Sequence, residues 1–320
     1  MSIESYSNFQ VLPEGFIADA LSLTSPKDAC RLSSVTSTFR SAAEYDTVWE
    51  RFLPPDYRDI ISRSIDGADL FLAKFRTKKE LYLHLCDNPI LIDGGTKSFS
   101  LEKGTGNKCF MLPARDLLNG WGVTPKYWQW ISLPESRFPE AAELHHAQCW
   151  SDIGCKINTS MLSSGTKYAA YLVFTSRPRI YGFQNYPLDI EALVGISGQE
   201  VEKRIVCLNQ EGEQRHRNQF VPFIHGLACG YTEYPKCRDD GWMAVELGEF
   251  LVKGKQDCDM EMYLREVWRN GNWKNGLTIQ GCFKSFTRWM EKTEVLGACG
   301  IGDRVEVGRR RRKSLGLMVS

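Results

Sequence analysis

The chain has 320 residues, of which 42% are apolar, 25% charged and 12% aromatic, a composition ordinary for a soluble globular protein of about two domains. Its net charge of +1 supplies no bulk field to hold a polyanion or an acidic membrane surface, so neither nucleic acid nor a membrane is expected as a partner. The longest strongly apolar run, Ala169–Phe174, is far short of a membrane span, and residues 1–15 lack the basic start and apolar stretch of a secretory signal, so an intracellular chain is expected.

From Leu12 to Leu53 the apolar spacing is helical. Phe16, Ile17, Ala20 and Leu21 recur at three and four residues and predict one stripe. Ser25-Pro26-Lys27-Asp28 is a helix start, with Ser25 as cap, Pro26 in the first turn and the Asp28 charge at the helix N-terminus. Ala29, Leu32 and Val35 continue an apolar face. A third segment carries Phe39, Ala42, Ala43, Val48, Trp49, Phe52 and Leu53, and Pro54-Pro55 ends it. Three short helices make a weak core, which must be completed by the rest of the chain or by a partner.

The order Leu12-Pro13-Glu14, Ala20-Leu21-Ser22, Ser25 to Arg31, Val35, Phe39-Arg40, Ala43 and Val48-Trp49 resembles an F-box, spanning residues 8–55. The resemblance implies docking to the Skp-type adaptor of a cullin-RING ubiquitin ligase, with Leu12, Pro13, Asp28, Val35 and Trp49 forming or supporting the docking surface. It also implies a receptor subunit that is not itself an enzyme. Residues 56–97 read as a helical connector. Thr77-Lys78-Lys79-Glu80 opens an amphipathic segment with Leu81, Leu83 and Leu85, and Asn88-Pro89 and Gly94-Gly95 are turn signals that end it.

From Ser98 the hydrophobic period becomes two, the pattern of a sandwich or barrel. Predicted strands are Ser98–Glu102, Lys108–Leu112, Leu144–Trp150, Tyr168–Phe174, Arg204–Leu208, Trp242–Leu247, Met260–Trp268 and Leu277–Gly281. Met260, Met262 and Leu264 alternate with Glu261, Tyr263 and Arg265, which predicts one buried and one wet face. Three of the nine tryptophans fall at Trp121, Trp128 and Trp130, where Gly122 and Pro125 favour a turn or loop. Such rings serve either as core or as flat faces for the C–H side of a pyranose. Eleven cysteines scattered from Cys30 to Cys299 lack metal-ligand spacing, so reduced thiols, no metal site and no cofactor are expected.

The stretch from Lys108 to Gly281 resembles the phloem-protein-two, or Nictaba-like, plant lectins. The match is carried by Ala114-Arg115-Asp116-Leu117, Trp121-Gly122, Tyr127-Trp128-Gln129-Trp130, Cys149-Trp150, Tyr168 to Phe174, Asp240-Gly241-Trp242, Glu246 to Phe250 and Gly271-Asn272-Trp273-Lys274. The resemblance implies a jelly-roll-like antiparallel β-sandwich over residues 98–281 that binds N-acetylglucosamine oligomers or N-glycan cores. Its sugar contacts fall on Trp121, Trp128, Asp259 and Glu266, with Asp259 standing where the family usually has Glu. Seven residues apart on an alternating strand, Asp259 and Glu266 would face opposite ways on the order of 20 Å apart. They then make no glycosidase pair, and they share one sugar only if a turn or bulge intervenes.

After Gly281 the pattern stops, and residues 282–320 form a divergent tail. Its run Arg309–Lys313 reads as a nuclear localisation signal or as a solvated end replacing a last strand. The expected fold is therefore α+β in two domains, a three-helix F-box and then the sandwich. The expected function is the substrate-recognition subunit of an SCF-type ligase in cytoplasm and nucleus, partnered by the adaptor and cullin and binding a glycan or glycoprotein. The alternative is a receptor that recognises protein targets directly, with a sandwich that binds no sugar.

Overall fold

The computed structural model describes residues 12–117, 125–145, 153–183, 190–196, 201–209, 232–254, 257–266 and 273–286. Helices come first and a largely antiparallel β-domain follows. Helix α1 (Glu14–Ser22) buries Ile17, Ala18 and Leu21. In α2 (Pro26–Leu32) the Ser25 hydroxyl accepts from the Asp28 amide at 3.1 Å and donates to the Asp28 carboxylate at 2.7 Å, which bears out the helix start read from the sequence. The expected third helix is two: α3 (Ser37–Ala42), capped by Thr36, and α4 (Asp46–Phe52). A turn at Ala43–Tyr45 separates them, and the Ala43 carbonyl left free there accepts from the Trp49 indole at 2.7 Å. The connector adds α5 (Tyr57–Ser62), α6 (Ala68–Leu72) and α7 (Lys78–Asp87).

The connector is more than helix, because β1 (Ile90–Ile92) and β2 (Lys97–Leu101) pair there and open the large sheet. That sheet runs β1-β2-β3-β14-β7-β12-β11 through β3 (Lys108–Pro113), β14 (Asn275–Phe286), β7 (Lys167–Tyr181), β12 (Met243–Leu251) and β11 (Lys236–Cys237). Short helix α8 (Ala114–Leu117) follows β3, and β4 (Trp128–Ile131) pairs with β5 (Ala141–Leu144), which pairs in turn with β14. The second sheet runs β10-β9-β8-β13-β6 through β10 (Thr232–Glu233), β9 (Glu202–Val206), β8 (Ile190–Ile196), β13 (Asp259–Glu266) and β6 (Ile153–Asn158), and its β9–β10 pair is parallel.

The alternation read in β13 holds, with Met260, Met262 and Leu264 buried. Most of the predicted Leu144–Trp150 strand lies outside the described residues. Strand β14 runs past the expected end at Gly281 to Phe286 and is paired on both sides there, by β3 and β7. Gly281 makes the first of these pairings possible, since a Cβ would stand 2.1 Å from the Leu112 carbonyl oxygen. The basic run 309–313 lies outside the described residues.

One core joins helices and sandwich. Trp49 stacks edge-on to Phe52 (5.6 Å) and tilts against Tyr82 of α7 (5.2 Å), and Leu81, Tyr82 and Leu85 continue it to Phe99 and Phe110 of β2 and β3. The Tyr82 hydroxyl reaches the Glu102 and Lys103 carbonyls (both 3.1 Å), and burial pushes its pKa far above the ordinary phenol range. Lys108 in β3 reaches back to Asp56 at 2.9 Å. Gly106, at φ +76°, passes so close to the Phe52 carbonyl that a Cβ would stand 2.5 Å from its oxygen. A second, smaller cluster including Leu133, Phe138, Tyr171 and Trp242 covers the outer face of the large sheet.

Candidate functional site

Two regions carry the residues singled out in the sequence. On the helices, Leu12 is 45% and Val35 64% exposed, and Pro13 is exposed beside Leu12 at the start of α1. Asp28 is exposed and holds the α2 N-terminus, with Arg31 at 3.6 Å. Trp49, 1% exposed, is a core residue that supports this face from behind. Phe16 (67%) and Leu23 (74%) are exposed as well. The sequence had placed Phe16 in the buried stripe. In α1 the buried arc is Ile17, Ala18 and Leu21, so Phe16 and Ala20 fall on its flank and face solvent. The signal for this lay in the width of the apolar stripe, which is more than one packing face needs.

The second region is one end of the sandwich. Strands β5 and β7 end there, at Leu144 and Tyr181, while β4, β6, β8 and β14 begin there and β13 arrives at Glu266. Trp121 lies outside the described residues. Trp128 is opposite Leu144 and only 3% exposed, its ring packed in the core between the sheets. This corrects the expectation of an open stacking face at Trp128, because period two turns it inward together with Trp130. Trp130 is half-buried under the Arg115 guanidinium (4.2 Å), which Glu140 holds at 2.7 Å. Beside Trp128, the Tyr127 carbonyl accepts from the His145 amide at 2.7 Å, and His145 Nε2 lies 3.1 Å from Glu143.

The two acidic residues do not meet. Asp259 begins β13 opposite Asn158 and is exposed, and Glu266 ends β13 opposite Ile190. The register to β8 is unbroken from Met260 to Glu266, so no bulge folds them together and about 23 Å separates them at about 3.3 Å per residue. Glu266 is at the end where β4 begins and Asp259 is at the other. That distance also excludes a glycosidase pair, whose carboxylates lie within about 10 Å.

The sequence missed two exposed aromatics at the same end as Glu266, Tyr181 (63%) and Trp273 (49%). It also missed a cluster at the sandwich margin, where Arg204 contacts four carboxylates: Glu202 at 2.7 Å, Glu233 at 3.5 Å, Glu249 at 3.7 Å and, closest, Glu246. Burial works against the Arg204 charge, but the bonds and field of Glu202 and Glu246 outweigh it and raise its pKa. These carboxylates are engaged as ion-pair partners of one arginine. Among the described residues, no group of three or more His, Cys, Asp or Glu side chains is placed to hold a metal, and no helix is long and apolar enough to cross a membrane.

The structure is thus a helical unit with exposed apolar side chains fused to a two-sheet, largely antiparallel domain. Residues 107–283 match the family model described as phloem protein 2. Among relatives, the chain is 43% identical to the F-box protein At2g02240 of Arabidopsis thaliana over 86% of this chain and 79% of that one. It is 42% identical to F-box protein PP2-B10 of the same plant over 86% and 93%, and 37% identical to F-box protein SKIP3 over 86% and 87%. The chain thus belongs to the plant F-box proteins that carry a phloem protein 2 domain. A mannanase of Podospora anserina with a GH26-CBM35 architecture is similar at 9% identity and a TM-score of 0.28, over 56% of this chain and 28% of that one, too remote to bear on fold or function.

Proposed function

We propose that the chain is the substrate-recognition subunit of an SCF-type cullin-RING ubiquitin ligase of the cytoplasm and nucleus, and that its sandwich binds N-acetylglucosamine-containing glycans or glycoproteins. The observation that carries the ligase half is the set Leu12, Phe16, Leu23 and Val35, large apolar side chains left in water on a helical unit whose core is already complete. Such side chains suit burial under a partner helix. The relatives' F-box names point the same way. For the glycan half, support comes from the family and from the end of the sandwich where β4 starts and β13 stops. There β13 closes at Glu266 and Trp128 is buried at the start of β4; Trp121, the other ring that the family resemblance assigns to sugar, lies outside the described residues. Asp259, about 23 Å off, takes no part in that site.

The burial of Trp128 favours a second reading, in which the same end recognises a protein target directly and binds no sugar. A glycan array with the full chain, wild type and Trp121→Ala, decides between them. Binding of chito-oligosaccharides or N-glycan cores that Trp121→Ala loses is expected. No binding by the folded wild type leaves the second reading. Co-purification with a Skp-type adaptor, lost on Pro13→Ala combined with Leu12→Ala, tests the ligase half.

A further inference from the structure

We infer that Tyr181 and Trp273 form an outlying aromatic subsite for a distal pyranose ring of a bound oligosaccharide, so that the sandwich selects for chain length. This rests on the glycan-binding reading above and extends it beyond the residues assigned there. Both side chains are large and in water, 63% and 49% exposed. They are neighbours: Tyr181 ends β7 opposite Asn275, two residues after Trp273.

Their backbones are locked together. Gly182, at φ +82°, lies against the Trp273–Lys274 peptide so tightly that a Cβ would stand 2.2 Å from the Trp273 carbonyl oxygen. Lys274 itself is 4% exposed and anchors the start of the strand. Two exposed rings held on a fixed backbone lose little freedom on binding, which favours stacking against the C–H face of a sugar.

The same end of the sandwich holds the start of β4 and the close of β13, and the strand register gives the distance. Trp128 faces Leu144, which follows Glu143 opposite Thr278, so β4 lies two strands from β14, about 10 Å across at about 4.8 Å per strand. From Leu277 back to Trp273 the chain covers at most about 13 Å more, with the register to β7 shifting between Asn275 and Leu277. A single sugar does not bridge that separation, and a short β-linked oligomer does.

The test is calorimetric titration of the full chain with N-acetylglucosamine and with chitotetraose. The variants are Trp273→Ala, Tyr181→Ala and the conservative Trp273→Phe, each checked for an unchanged melting temperature. Trp273→Ala and Tyr181→Ala are expected to weaken chitotetraose binding about ten-fold and to leave the monosaccharide unchanged, while Trp273→Phe retains most of the affinity. Wild-type binding of chitotetraose that neither alanine variant alters overturns the subsite and leaves the glycan reading standing. An equal loss for monosaccharide and oligomer also overturns it, since that marks a general distortion. No binding of either sugar by wild type removes both.

Discussion

The helical unit and the sandwich treat their apolar side chains in opposite ways. The helices bury Ile17, Leu21, Val48 and Trp49 yet leave Leu12, Phe16, Leu23 and Val35 in water. At the end where β4 begins the sandwich draws Trp128 in to 3% exposure and leaves out Tyr181 and Trp273. The difference does not come from an unfinished helical core. Trp49, Phe52 and Tyr82 weld α4 and α7 into the core of the large sheet. The apolar side chains left outside are thus surplus to folding and available for binding. Because the core is continuous, the exposed apolar side chains of the helices and the end of the sandwich belong to one packed unit.

That comparison is broken most strongly at the weld. Trp49→Ala removes a fully buried ring and its bond to the Ala43 carbonyl, and is expected to cost about 4 kcal/mol in urea unfolding. Its adaptor binding should fall only in step with unfolding. A stable Trp49→Ala protein would show that the helices do not depend on this contact.

Arg204→Met comes next. It takes the shared guanidinium away from Glu202, Glu233, Glu246 and Glu249, although Lys167 still holds Glu249 at 2.6 Å, at an expected cost of about 3 kcal/mol at pH 7, reduced by the partial exposure of the site. Salt screens the repulsion among the carboxylates left behind, so the loss should shrink as ionic strength rises from about 0.05 to 1 M. A loss that does not vary with salt would mean that packing, not charge, is what Arg204 contributes.

The smallest effect lies where the connector meets the sheet. Asp93, before β2, accepts from Arg63 of the α5 end at 2.7 and 2.6 Å and from Lys97 at 3.0 Å. The hydrogen bonds from Arg63, and then Lys97, hold its carboxyl down at about 2. A folded-state value below the unfolded one means that this stability is present above about pH 4 and is lost as pH falls towards 2. Asp93→Asn, which tolerates the φ of 55° here, should cost about 1 kcal/mol at pH 7 and flatten the acid limb of the unfolding curve over that window. An unchanged acid limb would assign the acid sensitivity to other carboxylates.

Much of this architecture was legible in the sequence, and the misses have physical causes. Ser25, Pro26 and Asp28 announced α2 because capping is local chemistry, and the alternation of β13 announced its buried face. The split of the third helix was hidden, since Ala42 and Ala43 suit a helix and the break is held by contacts made only in the fold, among them Tyr45 with Glu14, Lys79 with Glu44 and the Lys78 amide with Asp46. Strands β4, β6 and β8 were not read as strands because Trp128–Trp130 sits among turn residues and Gly154 and Gly195 weaken the other two. At the site, the inward turn of Trp128 depends on its pairing with Leu144, and the closeness of Tyr181 to Trp273 depends on strands over ninety residues apart in the chain. Neither is visible in a local pattern.

The central claim is that the exposed apolar side chains of the helical unit serve a partner and not the fold. Titration of the full chain with a purified Skp-type adaptor, comparing wild type with Leu12→Ala/Val35→Ala and recording the melting temperature of each, tests it most directly. Tight binding by wild type, a loss of affinity of about ten-fold or more in the double variant and matching melting temperatures are expected. Undiminished affinity in the variant, or a loss of binding that tracks a loss of stability, would contradict it.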